Sequence, residues 1–534
     1  MKNETFLYER KPFKNGNINV RIAFPGVYNL GMSSLGFLSV FKIYDTHENV
    51  NAERIFTDTK DTELYSQYID IFAFSVSFEL DFLQIFKILD KFSIPFRACD
   101  RDDSYPLISG GGPVLSCNPE PYAPIFDYIE IGDAENTTKK VIEAVKNSKD
   151  LTKQQKLHKL SEIPGVYVPS LCEFVEGKGM MKDGEPYFVE KSTAKLEKCL
   201  ATPILTPNTY FKNMYIIETG RGCPQKCNFC ATSFLNSPFR PCPKNEIYDC
   251  IETGLKHTNK IAFLGAAVAA HPNFEEICDF MYNKAEKDET LELGVSSLRA
   301  DFVSDNVART LVKCGQKHAT IALEAGNDKL RNLINKNLTD EQIFSTVEIM
   351  ARNGFKGVKI YAMTGLPGET EDDVKDLIEC AKKIKQIKKG FDVVYTLSDF
   401  VPKAHTPFWF APFENTKSLE KKSEFIKKEM HKAGITARCS SPDWSAIQAL
   451  ISRGDRRLCE YLIQVYAKGG NKGAFKSVRK EFEKEKYITD FDEIIYKEKN
   501  KNFIHPSDFI TLKLGKPYIS DKYENFKKCK FIEK

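Results

Sequence analysis

The feature that most constrains this chain is a group of three cysteines, Cys223, Cys227 and Cys230, spaced as C-x3-C-x2-C. They follow an apolar, strand-like run at residues 214–217, so three thiols lie on one short loop at the carboxyl end of a predicted strand. Iron–sulfur clusters are held by cysteine thiolates, and a cubane cluster contains four irons. Three protein ligands therefore predict a cluster in which one iron is open to another ligand.

A closed zinc site is the alternative for the same cysteines. Cys242 lies twelve residues beyond Cys230 and would supply a fourth thiolate. Structural zinc is commonly bound by four thiolates at short spacings. The two hypotheses differ in whether Cys242 joins the group.

Length and composition describe an ordinary globular protein of about three domains, with 534 residues, 28% charged and 42% hydrophobic. No run of ~18 apolar residues occurs and the first residues are charged, so a cytoplasmic protein without a membrane partner is predicted. Most of the other cysteines are dispersed and are expected to be buried thiols. The 77 basic and 73 acidic residues nearly balance, so no nucleic-acid partner is indicated.

Apolar runs alternate with amphipathic segments over residues 15–165, which predicts a doubly wound, Rossmann-like α/β domain. Ligands of such sheets bind at the carboxyl ends of the strands. The candidate binding residues in the loops there are Tyr28, Asn29, Ser77, Gly111 and Gly112. The glycine run at 110–112 permits close approach of a flat ligand or of a neighbouring backbone, and a merely tight turn is the simpler reading.

Three further regions follow. Residues 166–212 indicate a linker with a small β extension, and residues 436–534 a mostly helical C-terminal region. Between them, residues 213–435 contain six strand-helix units, which predict a partial (βα)6 barrel. Functional groups of such barrels cluster at the carboxyl ends of the strands.

In this context the cysteine loop resembles the cluster-binding loop of the radical S-adenosylmethionine superfamily. The resemblance continues through residues 322–373, above all at Ile334-Asn335-Lys336 and Gly365-Leu366-Pro367-Gly368-Glu369. It implies a [4Fe-4S] cluster on Cys223, Cys227 and Cys230 whose open iron chelates S-adenosylmethionine. It further implies reductive cleavage to a 5'-deoxyadenosyl radical and an electron donor such as ferredoxin or flavodoxin.

The resemblance also implies contacts to S-adenosylmethionine. Ser297, Glu324 and Arg331 would touch its ribose or its methionine end, and the segment that contains Met363 and Gly365 would pack against adenine. A carboxylate accepts ribose hydroxyls or an ammonium, and arginine pairs with a carboxylate. Alternatively, Glu324 and Arg331 form an ion pair at a helix start, and Met363 is a core residue. Residues 265–267 lack the acidic residue that many relatives carry there.

The N-terminal region resembles the cobalamin-binding domain of one subgroup, at Gly111-Gly112-Pro113, Asn118-Pro119-Glu120-Pro121 and Ile131-Gly132-Asp133-Ala134-Glu135. Cobalamin is therefore an implied cofactor. The loop after the first strand contains no histidine, so the lower face of cobalamin is expected to lack a histidine ligand. Residues 452–457 also resemble this subgroup, and their arginines either bind an anionic group or pair within the protein.

The functional hypothesis is a radical S-adenosylmethionine enzyme that methylates an unactivated carbon in a peptide or small molecule with cobalamin. Methylthiolation is a second hypothesis, but the family that performs it needs another cluster, and Cys99, Cys117 and Cys172 lack a matching loop context. A third is a non-catalytic module that binds cobalamin or zinc.

Overall fold

The computed structural model describes residues 3–14, 17–60, 68–175, 178–181 and 184–532. Residues 15–16, 61–67, 176–177, 182–183 and 533–534, which the sequence assigns to the predicted domains, lie outside these ranges. Within the described ranges, no helix combines the length and the hydrophobicity that a membrane crossing requires.

The N-terminal half of the chain is built on a six-stranded sheet in the order β3-β2-β4-β5-β6-β7, parallel except for β7 at one edge. Helices cover both faces of this sheet, as the sequence predicts for a doubly wound domain. Its elements are β1 Thr5–Phe6, β2 Ile18–Ala23, α1 Tyr28–Gly31, α2 Leu35–Asp45, β3 Val50–Ile55, β4 Ile71–Ser75, α3 Phe82–Lys91, β5 Leu107–Gly111, α4 Pro113–Cys117, β6 Tyr128–Glu130, α5 Ala134–Lys146, α6 Lys153–Ser161 and β7 Val166–Tyr167.

The hydrophobic pattern does not predict strand β3, and β7 lies in the segment that the sequence assigns to the linker. The sequence of β3 alternates poorly because Asn51, Glu53 and Arg54 interrupt the apolar residues. Strand β3 lies at the sheet edge, where polar side chains are tolerated because one side of the strand is not covered by another.

Short antiparallel pairs follow in the predicted linker: β8 Cys172–Val175 with β9 Lys178–Met181, and β11 Ile204–Leu205 with β1. Strand β10, Val189–Glu190, pairs with a strand from the C-terminal end of the chain.

The second half contains the predicted strand-helix units. They are β12 Tyr215–Glu218, β13 Gly220–Arg221, α7 Ala231–Leu235, β14 Arg240–Pro241, α8 Lys244–Leu255, β15 Lys260–Leu264, α9 Phe274–Ala285, β16 Glu292–Val295, α10 Asp305–Lys313, β17 His318–Glu324, α11 Asp328–Leu333, α12 Asp340–Arg352, β18 Gly357–Thr364, α13 Glu371–Gln386, β19 Asp392–Asp399, α14 Thr416–Lys432 and β20 Thr436–Cys439.

The parallel strands of this half form the sheets β12-β15-β16 and β17-β18-β19-β20, which a bridge between Leu298 and Ile321 connects. All six predicted strands are present. Strand β20 is a seventh parallel strand in the segment that the sequence assigns to the helical C-terminal region. The domain boundaries themselves remain a prediction.

The outward residues of these strands are buried under helices, while the inward residues are partly exposed. Three of the inward positions are small, namely Ala262, Gly294 and Ala322 on the adjacent strands β15, β16 and β17. The strands therefore surround a lumen that is open toward the rim where they end.

The C-terminal elements are α15 Pro442–Arg453, α16 Leu458–Ala467, α17 Lys472–Lys484, α18 Phe491–Tyr496, β21 Ile510–Thr511 and α19 Lys516–Ile532. Helices α15 to α18 share a hydrophobic core with α3 of the N-terminal sheet, and α19 packs beside the cysteine loop. This region is therefore not an independent unit, because its apolar faces are buried against both halves of the chain.

Candidate active site at the barrel mouth

The cysteine loop spans residues 222–230, between β13 and α7, at the rim where the barrel strands end. Gly222 has a φ of +85°, and a Cβ there would lie 2.4 Å from the carbonyl oxygen of Asn236. The loop can therefore turn back against the chain that follows α7 only with glycine at this position.

The segment after α11 holds this loop in place. The Asn335 side-chain amide donates to the carbonyl of Lys226 at 2.7 Å, and the Asn228 backbone N–H donates to the carbonyl of Ile334 at 3.0 Å. On the other side, the Phe408 N–H donates to the carbonyl of Asn228 at 3.0 Å. The motif at residues 334–336, which the sequence marks without a role, is thus a clamp on the cysteine loop.

The three thiols of the loop lie within electrostatic range of one another. Burial raises the pKa of the Cys223 thiol and raises that of Cys227 to about 12, while the Lys336 ammonium acts in the opposite direction on both. The Gln225 N–H and the Ser233 hydroxyl also act to lower the pKa of Cys223. Bound metal replaces the thiol protons, so a partly buried trio with polar groups and a cation nearby suits thiolate ligands.

The same geometry argues against a single zinc ion. Across the described residues, no three His, Cys, Asp or Glu side chains converge as ligands of one metal ion. Cys242 points away from the loop: its thiol donates to the carbonyl of Glu218 at 3.1 Å and contacts Cys199, which also contacts Cys250. In this structure Cys242 is therefore not gathered with the loop cysteines as a fourth ligand. A cubane fits better, because each of its thiolates binds a different iron.

Glu324 and Lys336 form an ion pair beside this loop, with 3.1 Å between Oε1 and Nζ. Glu324 ends strand β17 with a φ of +66°, a conformation that is costly for a residue with a side chain and that is concentrated at functional sites. Burial lowers the pKa of Lys336, but Glu324 and Cys227 raise it by more, so the net shift is upward. A carboxylate and an ammonium thus lie together at the barrel mouth, next to the loop cysteines.

The Arg331 side chain, by contrast, forms hydrogen bonds with groups in the protein interior. It is fully buried, with Nε donating to the carbonyl of Leu338 at 2.6 Å and Nη1 to that of Ala325 at 2.8 Å. Its Nη2 pairs with Asp328 and Asp340. It does not pair with Glu324, so the predicted alternative of a Glu324–Arg331 ion pair is not formed. Contact between Arg331 and S-adenosylmethionine remains a prediction from the resemblance.

We expect replacement of Arg331 by methionine to lower the free energy of unfolding by about 3 kcal/mol, because buried carbonyls and two carboxylates lose their donor. Urea titration would measure the change. Arg309→Met is the matched control, since Arg309 is exposed on α10 and should cost less than about 0.5 kcal/mol. Weaker S-adenosylmethionine binding with unchanged stability would show instead that Arg331 contacts the ligand.

The other residues predicted to contact S-adenosylmethionine lie at the same rim. Ser297 follows β16 and is half-buried, and Met363, near the end of β18, is half-buried and packs against a hydrophobic cluster that includes Phe408. Gly365 has a φ of +75°, and its N–H donates to the Glu369 carboxylate at 2.8 Å. The structure thus places Ser297, Glu324 and Met363 on three successive strands of one rim.

The predicted ligand loops of the N-terminal sheet differ in exposure. Asn29 and Ser77 are exposed, whereas Tyr28 is buried and its hydroxyl donates to Glu4 at 2.6 Å. Large apolar side chains next to the exposed positions are unusually open: Val27 is 40%, Leu30 45% and Phe78 45% exposed. They follow the adjacent strands β2 and β4 and form an exposed apolar rim at the carboxyl edge of the sheet.

The glycine run serves the fold at two of its three positions. A Cβ at Gly112, whose φ is +113°, would lie 2.4 Å from the carbonyl oxygen of Val76, and one at Gly110 would collide with Leu115. At Gly111 a Cβ would meet only ordinary contacts with Glu130. Close approach of a neighbouring backbone, one of the two predicted readings, therefore explains Gly112.

The carboxyl edge of the N-terminal sheet faces the barrel mouth, and arginines of the hairpin β13–β14 join the two. Arg221 pairs with Asp133 at 3.1 Å, with Glu135 at 2.8 Å and with Glu218 at 2.9 Å. Arg240 pairs with Asp133 at 2.7 Å. The motif at residues 131–135 therefore binds the strand that leads into the cysteine loop.

The arginines of residues 452–457 also pair within the protein, which is the second of the two predicted readings. Arg456 pairs with the buried Glu120 at 2.8 Å, and Arg453 donates to the carbonyls of Ile495 and Lys497. Arg457 pairs with Asp455 and Asp490.

The cysteines needed for methylthiolation are not gathered. Cys99 is exposed, Cys117 donates to the carbonyl of Ala404 at 3.3 Å, and Cys172 is buried beside Arg456. In the part of the chain that the structure describes, these three thiols form no ligand group.

Comparison with known proteins agrees with this arrangement. The family model for the N-terminal region of radical SAM proteins matches residues 39–169. The family model for the radical SAM superfamily matches residues 217–381. The uncharacterized protein MJ0966 of Methanocaldococcus jannaschii is 26% identical over 447 residues, 83% of this chain and 90% of that protein. Ribosomal protein uS12 methylthiotransferase RimO of Pseudothermotoga lettingae is 22% identical over 213 residues, 38% of this chain and 48% of that protein.

Two solved structures share the fold. The radical S-adenosylmethionine methyltransferase TsrM from Kitasatospora setae, with cobalamin and a [4Fe-4S] cluster bound, has a TM-score of 0.54 at 14% identity over 73% of this chain and 77% of its own. The cobalamin-dependent S-adenosylmethionine radical enzyme OxsB, with aqua-cobalamin and S-adenosylmethionine bound, has a TM-score of 0.52 at 13% identity over 97% of this chain and 79% of its own.

Proposed function

Because this chain belongs to the radical S-adenosylmethionine superfamily, we propose that it is a cobalamin-dependent methyltransferase that acts on an unactivated carbon. The observation that carries the proposal is the meeting of two ligand-binding edges. The carboxyl edge of the N-terminal sheet is fastened to the barrel mouth through Arg221 and Arg240, next to the cysteine loop. A cofactor bound at the carboxyl edge of the N-terminal sheet would therefore lie against a substrate bound in the barrel mouth.

The bound groups supply the chemistry: a cluster and S-adenosylmethionine together provide a carbon-centred radical, and cobalamin provides a methyl carrier. The protein binds and orients these groups. Cys223, Cys227 and Cys230 would hold the cluster, since their thiols lie together on one loop beside the Lys336 ammonium.

Lys336 and Glu324 would hold the methionine end of S-adenosylmethionine. Its carboxylate matches the Lys336 ammonium, and its ammonium matches the Glu324 carboxylate. The two side chains already form an ion pair at 3.1 Å, so each is aligned and partly desolvated before the ligand arrives. This assignment also supplies an acidic residue at the mouth, where residues 265–267 have none.

The exposed apolar rim of Val27, Leu30 and Phe78 supports a large, flat cofactor on the N-terminal edge. Leu264, at the end of β15 in the barrel, is also 39% exposed. Asn29 and Ser77 stand beside these side chains with free polar groups for the cofactor's periphery. Their pattern, apolar with few polar groups, is typical of cofactor sites.

The lumen is suited to a small molecule or a peptide side chain. Ala262, Gly294 and Ala322 leave space on its wall, and Lys359 and Tyr361 provide the polar contact, with 3.2 Å between Nζ and the hydroxyl oxygen. A small molecule or a peptide is therefore the substrate class that we propose.

Product analysis under anaerobic conditions tests the function. Enzyme reconstituted with iron, sulfide and cobalamin and reduced with dithionite should form both 5'-deoxyadenosine and S-adenosylhomocysteine with a peptide or metabolite pool. 5'-Deoxyadenosine alone, in the presence and absence of cobalamin, would reject methyl transfer. Neither product, with iron bound, would reject the enzyme assignment.

A further inference from the structure

Helix α19 forms the outer wall beside the cysteine loop. Its buried side chains Ile519, Tyr523 and Phe526 share a hydrophobic core with Phe234 of α7 and with Phe229, which lies between Cys227 and Cys230. The helix therefore presents its opposite face to solvent directly outside the loop.

The positive charge of the protein is concentrated on this helix and its approach. Residues 513–530 contain six lysines but only two acidic residues, Asp521 and Glu524, a net charge of +4. The whole chain also has a net charge of +4, with 77 basic and 73 acidic residues. The remainder of the protein is therefore neutral on balance. Within the stretch, Lys516 pairs with Asp508 and Lys527 with Glu524, whereas Lys522 and Lys528 form no ion pair among the described residues.

Two ammonium groups on this surface share one aromatic ring. Lys226, from within the cysteine loop, and Lys522 of α19 lie 5.6 Å and 5.7 Å from the ring centroid of Tyr518. Tyr518 is 36% exposed. Among the described residues, neither lysine forms an ion pair with a carboxylate. Two like charges held together without a counter-charge favour an anionic partner.

We propose that the surface centred on Lys226, Tyr518 and Lys522, with the exposed Lys528 further along α19 at its margin, is the docking site of a small acidic electron-carrier protein. The inference rests on the proposed function, which requires electrons from outside the chain. Lys226 is adjacent in sequence to Cys227, so this surface lies one residue from a cluster ligand. The carrier would lose one electron, the cluster would gain it, and no atom would be transferred.

An acidic protein matches this surface better than RNA does. The basic stretch is short, it is interrupted by Asp521 and Glu524, and the rest of the chain carries no net charge to extend it along a nucleic acid. Charge complementarity at such a rim mainly accelerates association, and the effect is lost at high salt.

Charge reversal with two reductants tests the proposal. The test variants are Lys522→Glu and the double variant Lys522→Glu/Lys528→Glu. The control is Lys287→Glu/Lys389→Glu, which makes the same change of charge as the double variant at exposed positions before β16 and β19, on the opposite rim of the barrel. Each variant is assayed for 5'-deoxyadenosine with dithionite and with the reduced form of a flavodoxin. At low ionic strength we expect kcat/KM for flavodoxin to fall about fivefold in the single and more than about tenfold in the double variant.

Dithionite-driven cleavage should be unchanged in all variants, because a small reductant needs no docking surface. Carbodiimide cross-linking supplies a second readout: flavodoxin carboxylates should couple to lysines of residues 513–530, and Lys522→Glu should weaken this product. An equal flavodoxin rate in the double variant and the parent would overturn the proposal. So would tRNA that binds this surface at physiological salt and displaces flavodoxin. A parent without dithionite-driven cleavage would instead contradict the proposed function.

Discussion

Replacing Cys227 by alanine is expected to remove bound iron and to abolish 5'-deoxyadenosine formation. Cys227 is the most buried of the three loop thiols, and its neighbours Asn228 and Lys226 are clamped by the segment after α11. No other side chain can therefore move in to replace it. Loss of even an outer partner of a ligand costs about tenfold to a hundredfold in metal affinity, so loss of a ligand should exceed that. Iron and sulfide analysis with visible absorption measures the change.

Cys242→Ala is the matched control. Its thiol is also buried and lies nearby, but it donates to the Glu218 carbonyl and contacts Cys199 instead of facing the loop. The variant should keep the iron content of the parent. If Cys242→Ala loses metal as completely as Cys227→Ala, and the parent contains zinc, the closed zinc site is correct after all.

Replacing Lys336 by methionine is expected to weaken S-adenosylmethionine binding by about tenfold to a hundredfold. The ligand carboxylate loses a charge-assisted hydrogen bond, which contributes about 1.5–3 kcal/mol. Glu324 also loses its partner and would stand as an uncompensated charge at the mouth. Equilibrium dialysis with S-adenosylmethionine, on protein of known iron content, measures the dissociation constant.

Two variants separate this role from a structural one. Lys336→Arg keeps the positive charge and should retain most of the affinity. Lys336→Met/Glu324→Gln removes the orphaned carboxylate and should restore stability but not binding. Normal affinity in Lys336→Met, accompanied by loss of iron, would show that Lys336 supports the cysteine loop and does not contact the ligand.

Most strands of the N-terminal sheet and of the barrel were predictable, because each contains a run of mostly apolar residues in the sequence. The runs at β4 and β18, for example, are recognisable without knowledge of their neighbours. Strands β3 and β20 were not, because short, polar strands at sheet edges obtain their stability from pairing with a distant strand. The packing of α15 to α18 on α3 depends on contacts nearly 400 residues apart, which no local pattern encodes.

The candidate site divides in the same way. Glu324, Lys336 and the cysteines all stand in recognisable motifs, but the sequence did not show that Lys336 is the cation that pairs with Glu324. Arg331 is nearer in sequence and has the stronger donor, yet it turns inward to the carbonyls of Ala325 and Leu338. Lys336 reaches Glu324 because the chain after α11 reverses through left-handed backbone at Asn335 and Asn337.

The sequence by itself determined the spacing of the three loop cysteines and the alternation of strands and helices, because a loop of nine residues and a run of apolar side chains are short-range features. Only the tertiary structure decided that Cys242 lies outside the ligand set, that Lys336 faces the mouth, and that α19 brings lysines from the end of the chain to the cysteine loop. Each of these depends on where a side chain points after distant segments have packed, and long-range packing leaves no local pattern to read.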